Sequence, residues 1–105
     1  MEKIISFQHK EIFYRVIGTG KPVVLVHGFG EDGDIWHNQV KFLQEKFKII
    51  IPDLPGSGHS AMIDDMSMDG MAKVILAIMK AEHCISCPVI GHSMGGYITL
   101  ALAEK

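Results

Sequence analysis

A serine stands at the centre of Gly91-His92-Ser93-Met94-Gly95, near the end of a chain of 105 residues. The string has the Gly-x-Ser-x-Gly form of a turn that lifts a nucleophile out of a sheet. A strand running directly into a helix must reverse within very few residues. The residue at the apex is held in a strained conformation, with its side chain pushed clear of the sheet. Its neighbours two before and two after crowd the crossing and must be small; here they are Gly91 and Gly95, with Gly96 alongside. Ser93 is therefore the candidate nucleophile. His92 reads as structural, because successive strand side chains point to opposite faces. A serine at a helix N-terminus also finds backbone N–H groups close to a developing oxyanion, the Met94 amide first among them.

A second glycine-rich stretch, Val26-His27-Gly28-Phe29-Gly30-Glu31-Asp32-Gly33, has two readings. Gly28, Gly30 and Gly33 spell G-x-G-x-x-G, and Asp53 follows roughly twenty residues later, which is the form of a dinucleotide-binding loop with its ribose-binding acid. Glu31, Asp32 and Asp34 argue against it, because a pyrophosphate needs positive potential there. The strand also follows a hairpin, whereas that motif commonly opens its fold. The other reading is an oxyanion loop. A tetrahedral intermediate needs two backbone donors aimed at one point, and Phe29 is the natural partner of Met94. This reading explains both loops with one chemistry.

The elements that must position these loops follow from periodicity. Residues 4–9 and 12–17 read as two strands of a hairpin turning near Lys10, and residues 18–22 as a turn cluster. Val23 to Val26, Lys48 to Ile51 and Pro88 to Ile90 are short apolar runs of buried strands. Trp36, Val40, Leu43 and Phe47 have helical spacing, with Asp34 as a candidate N-cap. Met71, Val74, Ile75, Ile78 and Met79 form a strong helical stripe, and Met94, Tyr97, Ile98, Ala101 and Leu102 repeat it. After the hairpin the order is strand, helix, three times over. That alternation implies an α/β fold with a mostly parallel sheet flanked by helices on both faces.

Composition narrows the classes. Hydrophobic residues make up 48% and charged residues 21%, the balance of one globular domain with a modest core. A net charge of −2 offers nothing to a phosphate backbone or an anionic membrane, so neither nucleic acid nor membrane is an expected partner. No signal-peptide run or membrane span is legible. With two cysteines, Cys84 and Cys87, there is no disulfide framework, and the cytoplasm is the expected compartment. Their C-x-x-C lies after a helix rather than at a helix N-terminus, and a zinc site would need more ligands, so they read as half-buried thiols.

"VVLVHGFGEDGDIW", "IIIPDLPGSGHS" and "VIGHSMGG" resemble, in order and spacing, the N-terminal half of the α/β-hydrolase superfamily, in its esterase, haloperoxidase-like and carbon–carbon hydrolase branch. The resemblance covers residues 1–105 as a single partial domain. It implies Ser93 as nucleophile and the Phe29 and Met94 amides as oxyanion hole. It implies supporting roles for His27, Gly28, Gly30, Gly91, His92 and Gly95, with Trp36 and residues 53–60 lining or buttressing the pocket. The activity implied is a carboxylesterase-like hydrolysis of an ester, thioester or related acyl bond in a small-molecule substrate, without cofactor or metal. Relatives using carboxylate chemistry would carry Asp at the apex. In this family the acid and histidine of the triad follow the serine. They are expected beyond residue 105, with the lid and later strands, so these residues alone are expected to be inactive. A triad within the stretch would have to draw on His27, with Asp53 as orienting acid, and is not expected. Two further readings stand beside the enzyme: a ligand-binding or assembly module on the same scaffold, and the dinucleotide-binding domain. If the chain is only 105 residues long, the strand before Ser93 becomes an exposed edge and self-association is expected.

Overall fold

Alternation of apolar and polar residues pairs the first two strands, β1 (Glu2–Phe7) and β2 (Lys10–Ile17), as an antiparallel hairpin in a computed structural model that describes residues 2–28, 33–84, 87–92 and 94–103. The turn falls at Gln8 and His9, with φ of 49° and 66°, and Phe7 faces Lys10. Two central residues with positive φ match the twist of a tight hairpin, which moves the turn ahead of the expected Lys10 and puts Lys10 in the ladder.

Strand β3 (Lys21–Val26) follows, then a 3-10 segment at Gly33–Trp36, α1 (His37–Leu43), β4 (Phe47–Pro52), α2 (Met68–Ala81), β5 (Val89–Gly91) and α3 (Met94–Ala103). The strand order is β1-β2-β4-β3-β5. β3 pairs in parallel with both β4 and β5, and β2 joins β4 antiparallel. The chain thus forms the expected α/β sheet, with helices on both faces.

Strand alternation sorts the core into two layers. Val24, Val26 and Ile50 face α2 and α3, together with Ile75, Ile78 and Ile98. Val23, Leu25, Ile49 and Ile51 face the other way, onto Trp36. α2 starts at Ser67, whose hydroxyl accepts the Gly70 N–H at 3.1 Å. Asp34 does not cap α1: its carboxylate lies 2.8 Å from the Arg15 guanidinium, within the 3-10 segment. The helix is also shorter than its apolar spacing suggests, because Phe47 belongs to β4 and pairs with Lys21. Tyr97, placed by spacing on the apolar stripe of α3, is 69% exposed, whereas Ile98 is fully buried.

Sequence-distant charges close the far side of the sheet. Glu82, at the end of α2, accepts from Tyr14 Oη at 2.6 Å and lies 2.9 Å from Lys3 Nζ and 3.0 Å from Lys48 Nζ. Burial pushes this carboxyl up, but the hydrogen bonds from Tyr14, Lys3 and Lys48 and the charge of Lys3 outweigh it and hold it at about 2. The Tyr14 hydroxyl is raised above its ordinary range by burial and by the Glu82 carboxylate.

Candidate functional site

The sheet order makes a crevice. From β3 the chain passes through α1 to β4 on one side, then through α2 back past β3 to β5 on the other. The loops leaving β3 and β5 diverge to opposite faces, and the gap between them at the carboxyl ends of the strands is where open α/β sheets bind ligands. The carboxyl ends of β3 and β5 lie side by side here, Val26 opposite Gly91.

The turn after β5 is very short. β5 ends at Gly91 and α3 begins at Met94. Ser93 itself lies outside the described residues, and its flanks are tightly constrained. The His92 N–H donates to the Val26 carbonyl at 2.9 Å, tying the turn to the end of β3. The Gly95 N–H donates to the His92 carbonyl at 2.9 Å. A Cβ on Gly91 would overlap the Gly95 carbonyl, and one on Gly95 would overlap the carbonyls of Val26 and His27. These are backbone atoms that cannot step aside. Gly96 differs, since a Cβ there would meet nothing within 4 Å. The start of α3 therefore sits directly over the base of the glycine loop.

That loop is described at its two ends; Phe29, Gly30, Glu31 and Asp32 lie outside the described residues. His27 is fully buried, and its ring is fully engaged. Nε2 lies 2.9 Å from the Leu54 amide and Nδ1 lies 2.8 Å from the Gly28 carbonyl. The Leu54 N–H can only donate, so Nε2 accepts and Nδ1 carries the proton that goes to Gly28. His27 thus has no free nitrogen for a serine hydroxyl, which removes the local histidine as a base. At the other end the Gly33 N–H donates to Asp53 Oδ1 at 2.9 Å.

Asp53 is 1% exposed. Its second carboxylate oxygen accepts the His59 N–H at 3.2 Å and lies 3.6 Å from His59 Nδ1. Both oxygens are thus occupied by protein donors. At 1% exposure the carboxylate is shut off from a ribose hydroxyl, and among the described residues no hydrogen bond joins it to His27. With Asp34 paired to Arg15 and a 3-10 turn where a helix N-terminus should stand, the dinucleotide reading loses its acid and its phosphate cradle.

Trp36 is buried between β3 and β4 and meets the His92 ring edge-on, with centroids 6.4 Å apart. It lies beneath the serine turn as packing. A groove of about 550 Å³ opens elsewhere, between α2 and α3 beside β5, lined by Leu76, Met79, Cys87, Val89, Thr99 and Leu102. Sequence reasoning did not find the Leu54 amide, the Gly33 amide or Arg15; backbone partners carry no residue-type signal. Among the described residues no group of three or more potential metal ligands occurs, and no helix is long and apolar enough to cross a membrane.

Known proteins share this fold. The family described as alpha/beta hydrolase fold matches residues 21–105. A pimeloyl-[acyl-carrier protein] methyl ester esterase of Methylococcus capsulatus is 37% identical over 94 residues, covering 89% of this chain and 35% of the esterase. The karrikin insensitive 2 receptor IA of Petunia hybrida is 36% identical over 91 residues, covering 81% of this chain and 33% of the receptor. The N-acyl homoserine lactonase AidH, solved with N-butanoyl homoserine, superposes with a TM-score of 0.92 at 29% identity, over 99% of this chain and 40% of the lactonase. The chain spans about a third of the length of the curated relatives it matches. Its strand order, its glycine-closed serine turn and this match agree, and the chain belongs to the alpha/beta hydrolase fold family.

Proposed function

We propose that the whole protein is a cytoplasmic serine hydrolase that cleaves an ester, thioester or related acyl bond. Ser93 attacks the carbonyl carbon, and the amides of Phe29 and Met94 receive the oxyanion. A histidine and an orienting acid from outside these 105 residues take the serine proton and pass it to the leaving group. Water then releases the acyl group by the same route. The one observation that carries this reading is the turn at Gly91–Gly95, with no room for a side chain at either glycine and a direct tie to β3. It is the construction that a presented serine requires. The engaged ring of His27 supports placing the base elsewhere in the protein. Likeness to methyl ester esterases makes a small ester of a carrier-bound or free acyl chain the first substrate class to test.

The test is turnover of p-nitrophenyl esters by the whole protein and by Ser93→Ala. Loss of about 10⁶-fold in kcat is expected. Undiminished turnover by the variant would remove Ser93 from the chemistry. The 105-residue chain alone is expected to be inactive in the same assay. Likeness to a plant receptor favours a second reading, a ligand-binding module on the same scaffold. It predicts saturable ligand binding by the whole protein with no ester turnover. We also propose that the 105-residue chain alone self-associates along β5, which pairs only with β3 among the described strands and leaves Ile90 48% exposed. A sedimentation dilution series should show dissociating oligomers; monomer at every concentration would count against it.

A further inference from the structure

The segment between β3 and the 3-10 turn is fastened at both ends to two adjacent residues just past β4. At its start, the Leu54 N–H donates to His27 Nε2 at 2.9 Å, and the ring's Nδ1–H donates to the Gly28 carbonyl at 2.8 Å. At its end, the Gly33 N–H donates to Asp53 Oδ1 at 2.9 Å. Asp53 is itself anchored. Its N–H donates to the Phe13 carbonyl at 2.9 Å, and its carbonyl accepts the Ser60 hydroxyl at 2.6 Å. Ser60 Oγ in turn accepts the Phe13 N–H at 2.8 Å. A continuous set of bonds thus runs from the middle of β2, through the β4 exit, to both ends of the glycine segment. A carboxylate accepting a backbone N–H is a stronger and more directional clasp than a neutral acceptor. Burying it at 1% exposure is costly unless such donors satisfy it.

We infer that Asp53 is a positioning residue for acyl transfer: by holding Gly33, in concert with the Leu54–His27 bond, it sets the path of the segment that carries the Phe29 amide. The inference rests on the serine hydrolase reading. An oxyanion donor must lie within about 2.7–3.1 Å of the forming charge. A displacement of about 1 Å can cost about 100-fold in rate.

The test uses the whole protein and the variants Asp53→Ala and Asp53→Asn. The readouts are kcat and KM on a p-nitrophenyl ester, affinity for a trifluoromethyl ketone that forms a tetrahedral adduct, and hydrogen exchange at the Gly33 amide. Asp53→Ala should lower kcat by about 10- to 100-fold and weaken the ketone by a similar factor, leaving KM within about threefold. Exchange at Gly33 should accelerate. Asp53→Asn keeps an oxygen for the Gly33 N–H and should recover most of kcat. A folded Asp53→Ala protein with unchanged kcat, a loss confined to KM, or an Asn variant as impaired as the Ala variant would overturn the inference. If Asp53→Ala does not fold, Gly33→Ala replaces it. Its Cβ would stand 2.8 Å from Ile51 Cγ2 and 2.9 Å from Arg15 Nη2, displacing the same N–H with Asp53 intact. The same kcat-specific loss is expected, and wild-type kcat would overturn the inference. Exchange at Gly33 does not depend on turnover. A Ser93→Ala protein that keeps its activity would therefore sink the hydrolase reading and leave the Asp53–Gly33 clasp separately measured.

Discussion

On one face of the sheet α2 seals Met71, Val74, Ile75, Ile78 and Met79 from water, while on the other α1 seals no residue of its own. α2 has 14 residues and a serine cap; α1 has 7 and no side-chain cap. The serine turn leads into α3, which packs with α2 on the deeply filled face. The glycine segment leads into α1 on the thinly filled one. The serine turn and the glycine segment are thus attached to layers that bury very different amounts of side chain. The difference teaches where positioning has to come from. Packing supports the turn. The two ends of the glycine segment are held by discrete hydrogen bonds, at His27 and Gly33, to the β4 exit.

Stability measurements sharpen this contrast. Ile75→Ala, in the filled layer and fully buried, should cost about 2–5 kcal/mol in urea denaturation. A cost equal to that of a surface change would mean that the layer is loosely packed. Tyr14→Phe removes a hydrogen bond to the Glu82 carboxylate and should cost about 1.5–3 kcal/mol near neutral pH. Glu82 is held at about 2, below its ordinary 4.5. Its contribution is therefore complete above about pH 4.5 and is lost as pH falls toward 2. The wild type should lose stability steeply over that interval. Glu82→Gln should start less stable and show a shallower acid limb; parallel limbs would contradict the assignment. The smallest effects belong to the helix start and the thin layer. Ser67→Ala should cost about 1 kcal/mol through the lost cap. Val40→Ala, half-buried against the thin layer, should cost about 1 kcal/mol as well. If Val40 proved as costly as Ile75, the two faces would not differ as described.

The parts of this fold that apolar periodicity governs could be read in the chain. Val23–Val26 and Lys48–Ile51 are continuous apolar runs because both faces of their strands are covered, and Met71–Met79 repeats at helical spacing because one face of α2 is buried. Gly91 and Gly95 were legible because a steric demand for a missing side chain leaves a glycine in the sequence. Other features left no such mark. The Gln8-His9 turn contains no glycine, so its two positive-φ positions leave no glycine mark in the chain. Tyr97 matches the stripe of α3 by spacing, yet lies on its exposed side. The Glu82 cluster joins residues from β1, β2, β4 and α2, a contact that only the folded sheet creates. The clasps at His27 and Asp53 end on backbone amides, for which any residue type would serve. By spacing alone Asp53 fits a ribose-binding acid, yet its buried oxygens accept the Gly33 and His59 amides of the chain itself.

The central claim is that a hydroxyl at position 93 and two main-chain amides share one point in space. A crystal structure of the whole protein after reaction with a fluorophosphonate tests it most directly. The account predicts phosphorus bonded to Ser93 Oγ and the phosphoryl oxygen about 2.7–3.1 Å from the nitrogens of Phe29 and Met94. Phosphorus on another residue, or an oxygen turned away from both amides, would contradict it.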